Sequence, residues 1–165
     1  MSVRWGDWDM ICVCRADLYK AFDSIFPGAV ASMLESIGVP AHVLRILLKI
    51  ALGGAVNPLI AGQQCAKIAL QRGVRQGRVQ SMIDFCVTLA CAFEPLIKSW
   101  RSRNIGLVVC DVWIGCLNYA DDFVILDARR SNIIRMMSES IDVLAKIGLK
   151  FSFKPEKTAC MTICA

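Results

Sequence analysis

Apolar positions in the first part of the chain change from strand-like to helix-like spacing. Residues 10–17 form an apolar run rich in β-forming residues, and Ser24 with Pro27 then supplies a helix start. The pattern therefore predicts a strand that runs directly into a helix.

Two further helices and a short β region are predicted next. Residues 29–37 and 41–52 have helical patterns, and Gly38 divides them. Turn-forming residues within 57–62 then punctuate a short β region that reaches Leu70.

A long amphipathic helix is predicted over residues 79–100, because apolar residues recur there every three or four positions. These positions are Val79, Met82, Ile83, Cys86, Val87, Ala90, Phe93, Ile97 and Trp100.

The last third of the chain returns to strand patterns. Residues 107–117 and 123–126 are rich in β-forming residues, and the polar stretch 118–122 between them predicts a hairpin with acids at its tip. A helix over 133–147, closed by Gly148, precedes two further strands. Those strands are expected at 150–153 and 159–163, as edge strands.

The order of these elements predicts the fold class. Strands and helices do not alternate regularly, so the chain fits an α+β fold with an antiparallel sheet and helices packed on one face. With 165 residues, it fits a single domain over 1–165. Low net charge for this length, +5, with 56% hydrophobic residues excludes a disordered chain.

The hydrophobic content also bears on partners and location. It exceeds the usual value of about 45–50%, so we expect apolar faces that another segment or protein covers. Charged residues interrupt the longest apolar stretches, near 43–60 and 82–97, and the N-terminus lacks the apolar core of a signal peptide. We therefore expect an intracellular protein, with no membrane partner and with nucleus or cytoplasm left open.

Nine cysteines are present, and none forms a Cys-x-x-Cys pair. The single histidine, His42, has no partner at the spacing of zinc ligands. We expect small buried thiols rather than metal ligands or disulfides, because free cysteine behaves as a core hydrophobe.

Three acidic residues are the candidates for chemistry. Asp17 ends the first predicted strand, and Asp121 with Asp122 lies at the hairpin tip. If the two strands are neighbours, the carboxylates meet, and a hard cation such as Mg²⁺ or Mn²⁺ would neutralise them. Two such ions about 3.5–4 Å apart would serve a phosphoryl transfer. The alternative is that aspartate pairs are common at turns for local hydrogen-bonding reasons.

Four segments in order resemble the palm motifs of reverse transcriptases, with the non-LTR (LINE-type) retrotransposon enzymes as the nearest group. They are ADLYKAFDSI at 16–25, RGVRQG with Ser81 at 72–81, NYADDFVIL at 118–126 and GLKFSFKPEKTACM at 148–161. The resemblance implies a polymerase palm, a ferredoxin- or RRM-like antiparallel sheet, and with its spacers it covers nearly the whole chain. Little length is left for the fingers and thumb, so a palm fragment is expected.

The resemblance assigns catalytic roles to four residues. Asp17 matches the first-motif metal ligand, and Asp121 and Asp122 match the acids of the third motif. Lys157 matches the fourth-motif lysine, a candidate proton donor to the leaving pyrophosphate, and Lys154 is an alternative donor. For either lysine, an exposed surface position is the competing interpretation.

Nucleotide contacts are also implied. Phe22 matches the aromatic gate that excludes a 2′-OH, although a phenylalanine is often simply part of the core. Gln76, Gly77 and Ser81 match the second motif, which contacts the template and the incoming nucleotide.

Two arginines accompany the second motif. Arg72 and Arg75 suit phosphate contacts, with a solvated surface pair as the alternative. In the family this motif usually reads Gln-Gly-Asp-Pro-Leu-Ser, whereas 78–80 is Arg-Val-Gln here. Asp84 also stands where the family favours an apolar residue. These departures bear on template handling more than on metal binding.

The resemblance implies an RNA-directed DNA polymerase that uses two Mg²⁺ or Mn²⁺ ions. Its partners would be an RNA template, a DNA primer and deoxynucleoside triphosphates, with fingers and thumb segments or a partner protein covering the apolar faces. One alternative is a catalytically inert, retroelement-derived relic that at most binds RNA or a protein. Another is a palm of the group II intron or telomerase type.

Overall fold

The computed structural model describes residues 10–52, 55–56, 59–66, 68–69, 73–74 and 79–164. The chain divides into two compact units, one made of the chain up to Tyr19 and from Ala90 onward, the other of Lys20–Leu89. The single domain over 1–165 stays a prediction.

Five helices occur among the described residues. They are α1 (Ala21–Ser24), α2 (Pro27–Ser36), α3 (Ala41–Leu52), α4 (Val79–Ser102) and α5 (Arg130–Lys146).

The strands of the described residues number eleven, and every pairing among them is antiparallel. They are β1 (Met10–Leu18), β2 (Ala55–Val56), β3 (Leu59–Ile60), β4 (Gln63–Gln64), β5 (Ile68–Ala69), β6 (Leu107–Val109), β7 (Val112–Ile114), β8 (Cys116–Tyr119), β9 (Asp122–Asp127), β10 (Phe151–Ser152) and β11 (Ala159–Cys164).

The main sheet belongs to the first unit and is built around β1. On one side β1 pairs with β9, which pairs with β8, and on the other side it pairs with both β10 and β11. Since β10 takes the C-terminal end of β1 and β11 takes the rest, these two strands share one edge of the sheet. The antiparallel sheet and the two edge strands expected from the sequence are confirmed.

One face of this sheet is the core of the first unit. Ala16 and Phe123 are register partners, and both are buried there. The Phe123 ring lies 5.1 Å from the Phe93 ring of α4 and 5.5 Å from the Phe151 ring. Helix α5 contacts β1 and β9 and buries Met136 and Leu144 completely. The helices therefore cover one face, as expected for an α+β fold.

Helices α4 and α5 are joined by a partly buried carboxylate. Glu139 accepts hydrogen bonds from the Trp100 indole at 2.7 Å and from two Arg103 nitrogens at 2.8 and 2.7 Å. Hydrogen bonds from Arg103, opposed by partial burial and aided by Trp100, lower the pKa of Glu139. A two-pronged contact of this kind holds the helices in one relative position.

The second unit contains α1, α2, α3, the start of α4 and two short two-stranded sheets, β2–β5 and β3–β4. The rings of Phe22 and Phe85 lie 4.8 Å apart. Gly73 has φ +81°, and an added Cβ would lie 2.5 Å from the Phe22 carbonyl oxygen, so only glycine fits. The backbone N–H of Val74 donates to that oxygen at 2.7 Å.

Helix α4 has the length and composition to cross a membrane, judged over Gln80–Ser102. One third of its most apolar window is buried inside the protein. Its buried residues include Phe85, Leu89, Phe93 and Trp100. Core helices of soluble proteins meet the same length and composition, so the feature alone does not indicate a membrane protein.

The sequence pattern placed most helices within a few residues. Helix α3 has the predicted bounds, and α4 begins at the predicted residue. Helices α2 and α5 begin two and three residues earlier than predicted. All three of α2, α4 and α5 end within two residues of the predicted position. Ser24 ends α1 instead of starting a helix, and α2 begins at Pro27. The stretch 107–117 is not one strand, because Cys110 and Asp111 take positive φ and fold it into the β6–β7 hairpin. Leu70 lies outside the described residues.

Cys14 and Cys160 form a disulfide, which corrects the expectation of free thiols for these two. They are register partners on β1 and β11, with Cα atoms 4.1 Å apart, so the pairing of the strands brings their sulfurs together. The other seven cysteines are free.

Asp84 is a buried acid within α4 of the second unit, with 2% of its surface exposed. Burial raises its pKa from the ordinary 3.8, and the hydrogen bond from Gln80, 2.7 Å long, acts in the opposite direction. The folded state therefore holds the proton of the Asp84 carboxyl more tightly than the unfolded state does. The ionised carboxylate lowers the free energy of unfolding above the unfolded-state pKa, and this loss of stability vanishes below it.

We expect alkylation to count seven free thiols in the unfolded, unreduced chain, the number that remains beside the disulfide. Intact mass after iodoacetamide treatment in denaturant measures this count, and full reduction raises it to nine. Cys160→Ser is the matched control, since it frees its partner Cys14. Nine adducts without reductant would contradict the cross-link.

Asp84→Asn is expected to stabilise the protein at neutral pH by about 0.5–2 kcal/mol, because the amide removes a buried charge and keeps an acceptor for Gln80. This gain in stability should disappear at about pH 3, where the Asp84 carboxyl is protonated in both the folded and the unfolded state. Denaturant unfolding at the two pH values measures it. Asp142→Asn, at an exposed position on α5, should change little, and an unstabilised Asp84→Asn at neutral pH would oppose the account.

Candidate active site

Asp17 lies near the C-terminal end of β1 and is paired in register with Asp122, the first residue of β9. Register partners of an antiparallel pair point to the same face of the sheet. Because Ala16 and Phe123 point into the core, Asp17 and Asp122 lie on the opposite, open face. The Asp17 side chain is only 7% exposed, whereas that of Asp122 is 48% exposed.

Asp121 lies at the tip of the β8–β9 hairpin. Tyr119 and Asp122 are register partners, so the connection has two residues, and its first residue, Ala120, has φ +53°. The carbonyl oxygen of Asp121 accepts the Leu18 N–H at 3.0 Å, which ties the tip to the end of β1. The backbone therefore brings Asp17, Asp121 and Asp122 to the adjoining ends of β1 and the β8–β9 hairpin, and a shared metal site stays a prediction.

The Asn118 side chain fixes the shape of this tip. Its amide nitrogen donates to the carbonyl oxygens of Ala120 and Asp122, at 3.0 and 3.2 Å. An asparagine that bonds its own turn is typical of tight connections.

Lys157 lies in the connection between β10 and β11 and forms an ion pair with Asp17. The hydrogen bond and charge of Asp17, with a smaller contribution from the charge of Asp121, raise the pKa of Lys157. The backbone carbonyl of Lys154 accepts the N–H of Lys157 at 2.8 Å. Of the two lysines proposed from the sequence, Lys157 is the one that the structure places on Asp17.

Arg15 is a site residue that the sequence reasoning did not select. Its guanidinium lies 3.0 Å from Asp122 Oδ1, and both side chains are about half exposed, at 59% and 48%. The signal was available in the strand pattern, since Arg15 precedes Asp17 by two residues and alternate residues of a strand share a face.

The three carboxylates are the oxygen ligands that Mg²⁺ and Mn²⁺ prefer, so the donor set suits such a cation. Within residues 10–164 as far as they are described, no three acidic, histidine or cysteine side chains converge on one point. Two of the carboxylates instead face cations of the chain itself, Arg15 and Lys157. The residue types fit a divalent cation, while their present arrangement is an ion-pair network.

The second unit holds the remaining predicted residues that can be described. Phe22 is half-buried and packs on Phe85, so it has both a core contact and a partly open surface. Ser81 is buried, with 4% of its surface exposed. Four further predicted site residues lie outside the described residues: Arg72, Arg75, Gln76 and Gly77.

Gly73 was also missed by the sequence reasoning. It lies within the RGVRQG segment, and its N–H donates to the Ile25 carbonyl at 3.0 Å. The start of the second motif is thereby fixed against the C-terminal end of the first motif, all within Lys20–Leu89. The available signal was the glycine itself, because a glycine within a motif allows another backbone to approach closely.

Sequence relatives are polyproteins of retrotransposable elements. The chain is 25% identical over 140 residues to the retrovirus-related Pol polyprotein from the type-2 retrotransposable element R2DM of Drosophila melanogaster, covering 85% of this chain and 13% of that protein. It is 22% identical over 151 residues to the Pol polyprotein of the type-1 element R2 of Popillia japonica, covering 91% and 24%. The chain thus spans between about an eighth and a quarter of these two relatives.

Solved structures with a similar fold are telomerases. Apo telomerase from Candida tropicalis, truncated from its C-terminal domain, matches with a TM-score of 0.70 at 16% identity, over 94% of this chain and 31% of that one. Telomerase from the same species in complex with a fragment of telomeric RNA matches with a TM-score of 0.74 at 14% identity, over 94% and 26%. This likeness confirms the polymerase palm-like fold.

A sequence model of the family described as reverse transcriptase (RNA-dependent DNA polymerase) matches residues 8–163. That match takes in the β1 acid, the hairpin acids and the β10–β11 lysine in their observed order. Together with the retrotransposon relatives, it shows that the chain belongs to the reverse transcriptase family, among the reverse transcriptase domains of non-LTR retrotransposons.

Proposed function

We propose that this chain is the palm of an RNA-directed DNA polymerase that joins deoxynucleotides to a primer 3′-OH. The observation that carries the proposal is the position of Asp17, Asp121 and Asp122 at the adjoining ends of β1 and the β8–β9 hairpin. Acidic residues of this kind are the usual means of placing divalent cations at a phosphoryl transfer.

In the proposed reaction the three carboxylates would hold Mg²⁺ or Mn²⁺, two ions in the full assembly, which neutralise charge on the triphosphate. Asp17 is the best placed to keep a fixed orientation, since it is buried and sits on a strand paired at both sides. A rigid carboxylate needs no reorganisation when the substrate arrives.

Lys157 is proposed to hold the proton that the leaving pyrophosphate takes up. Like any lysine ammonium it is protonated at neutral pH, and the hydrogen bond and charge of Asp17 raise its pKa further. A protonated lysine is also the group that suits a phosphate by charge. Asp17 positions it before substrate binds, through the ion pair described above.

Phe22 and the second-motif residues are proposed to contact the nucleotide and template. The packing of Phe22 on Phe85 supports a fixed ring with one accessible surface. Gln76, Gly77, Arg72 and Arg75 remain predictions from the motif. The template contact of Ser81 also remains a prediction from the motif, although the burial of Ser81 favours a packing role at the start of α4.

The proposed partners are an RNA template, a DNA primer and deoxynucleoside triphosphates. One telomerase of similar fold is in complex with telomeric RNA, and a net charge of +5 suits a polyanion. These partners occur inside cells, which supports an intracellular setting.

Further protein segments are proposed to cover the open face of the sheet. Leu117, Tyr119 and Met161 are exposed by 52%, 85% and 59%. Their register partners are Val124, Asp122 and Val13, so all three lie on the same face as the acids. Fingers and thumb segments of a longer protein, or a partner protein, would bury them.

A catalytically inert relic that binds RNA or a protein is the second candidate. The ion pairs of Arg15 and Lys157 favour it, because they satisfy two carboxylates without any metal. The two candidates differ in whether the chain supports polymerisation at all.

We expect a chimera that carries this chain in place of the matched segment of the Popillia japonica R2 polyprotein to extend a primer on an RNA template. Asp17→Ala or Asp121→Ala should lower extension by about a thousandfold or more, because the site would lose a ligand of the divalent cations that neutralise the charge of the triphosphate. Incorporation of labelled deoxynucleotide with Mg²⁺ measures this.

Asp142→Ala is the matched control, since it removes an exposed aspartate of α5 and should leave extension unchanged. Unchanged extension in both active-site variants would reject the polymerase assignment. A well-folded chimera that never incorporates nucleotide would favour the inert relic.

A further inference from the structure

The arrangement of charges around the acids suggests a role for Arg15 that rests on the proposed function. We infer that Arg15 is an internal counter-ion that occupies Asp122 while the site holds no metal, and that it must withdraw before a divalent cation binds there. Arg15 is thus a positioning residue that sets metal affinity, and it does not touch the reacting atoms.

The register of the sheet brings Arg15 to Asp122. Arg15 pairs with Val124, two residues beyond Asp122 on β9, so the arginine reaches its partner diagonally across one face. The contact joins residues 107 positions apart in the chain, with the nitrogen and oxygen 3.0 Å apart. Diagonal pairs in antiparallel sheets lie within reach of long side chains.

Exposure makes the Arg15 contact exchangeable. Both side chains are roughly half exposed, and ion pairs in such surroundings contribute little net stability, because water solvates each partner almost as well. Arg15 also has a flexible side chain that can turn toward solvent or toward a phosphate when it leaves Asp122.

The Lys157–Asp17 contact differs in this respect. The Asp17 side chain is only 7% exposed, so loss of its partner would leave a carboxylate with little access to water. Of the two cations, Arg15 is therefore the one that can leave at low cost while Lys157 stays.

Charge balance explains why Arg15 must leave. Three carboxylates face two cations, which leaves a single excess negative charge at the site. Withdrawal of Arg15 raises the excess to two, the charge that one divalent cation neutralises. With Arg15 in place, the same cation would approach a nearby positive guanidinium, and this repulsion weakens binding.

The test measures Mn²⁺ binding to the purified chain by electron paramagnetic resonance, in which the signal of the free ion disappears on binding. Arg15→Gln is expected to bind Mn²⁺ about threefold to tenfold more tightly than the wild type at low salt. The difference should shrink at high salt, because salt screens interactions between exposed charges. Arg15→Lys, which keeps the charge, should stay near the wild type.

Arg103→Gln is the matched control. It removes an arginine from an ion pair with a carboxylate and lowers the net charge by the same amount, but its partner is Glu139 on α5. Mn²⁺ affinity should not change in this variant. Asp122→Asn should weaken Mn²⁺ binding and remove most of the gain that Arg15→Gln gives.

The outcomes separate this inference from the proposed function. Mn²⁺ binding that depends on Asp122 but is equal in wild type and Arg15→Gln would overturn the role of Arg15 and leave the metal site intact. Mn²⁺ binding that is insensitive to Asp122→Asn, or absent in every variant, would overturn both. Circular dichroism of each variant checks that the fold is retained, and Arg15→Met, which also removes the charge but keeps a long side chain, repeats the test if Arg15→Gln fails to fold.

Discussion

The pairing of β1 with β9 is the constraint on which the site depends. Ala16 and Phe123 oppose each other in the core, and this places the next pair along the ladder, Asp17 and Asp122, on the open face. A slip of one residue in one strand would send its acid into the core and its apolar residue into water. The same β1–β9 register therefore determines both the core packing and the position of the carboxylates, because successive side chains of a strand point to opposite faces.

Local pattern was enough to locate most of the strands and helices and the three acids. The apolar run before Asp17 and the turn at Asp121 are visible within about ten residues of sequence. The contacts of Arg15 with Asp122 and of Cys14 with Cys160 span 107 and 146 positions, and they exist only once a register is chosen. No local sequence pattern determines the register between two strands that are distant in the chain, which is why these pairs were not predicted.

The β6–β7 hairpin shows a different limit of sequence reasoning. Its two turn residues, Cys110 and Asp111, have φ of +49° and +64°, a conformation usually signalled by glycine or asparagine. Without that signal, the stretch 107–117 has the pattern of one continuous strand. Four of the predicted second-motif residues, Arg72, Arg75, Gln76 and Gly77, lie outside the described structure, so their contacts rest on the motif alone.

The segment that carries Lys157 is attached to β1 at both of its ends. Ser152 pairs with Asp17 on one side of it, and the disulfide joins Cys160 to Cys14 on the other. A chain of so few residues between two fixed points keeps its ammonium group at a high effective concentration beside Asp17. When the ion pair opens, the two attachments keep the ammonium within reach of Asp17, so the contact re-forms without a diffusional search.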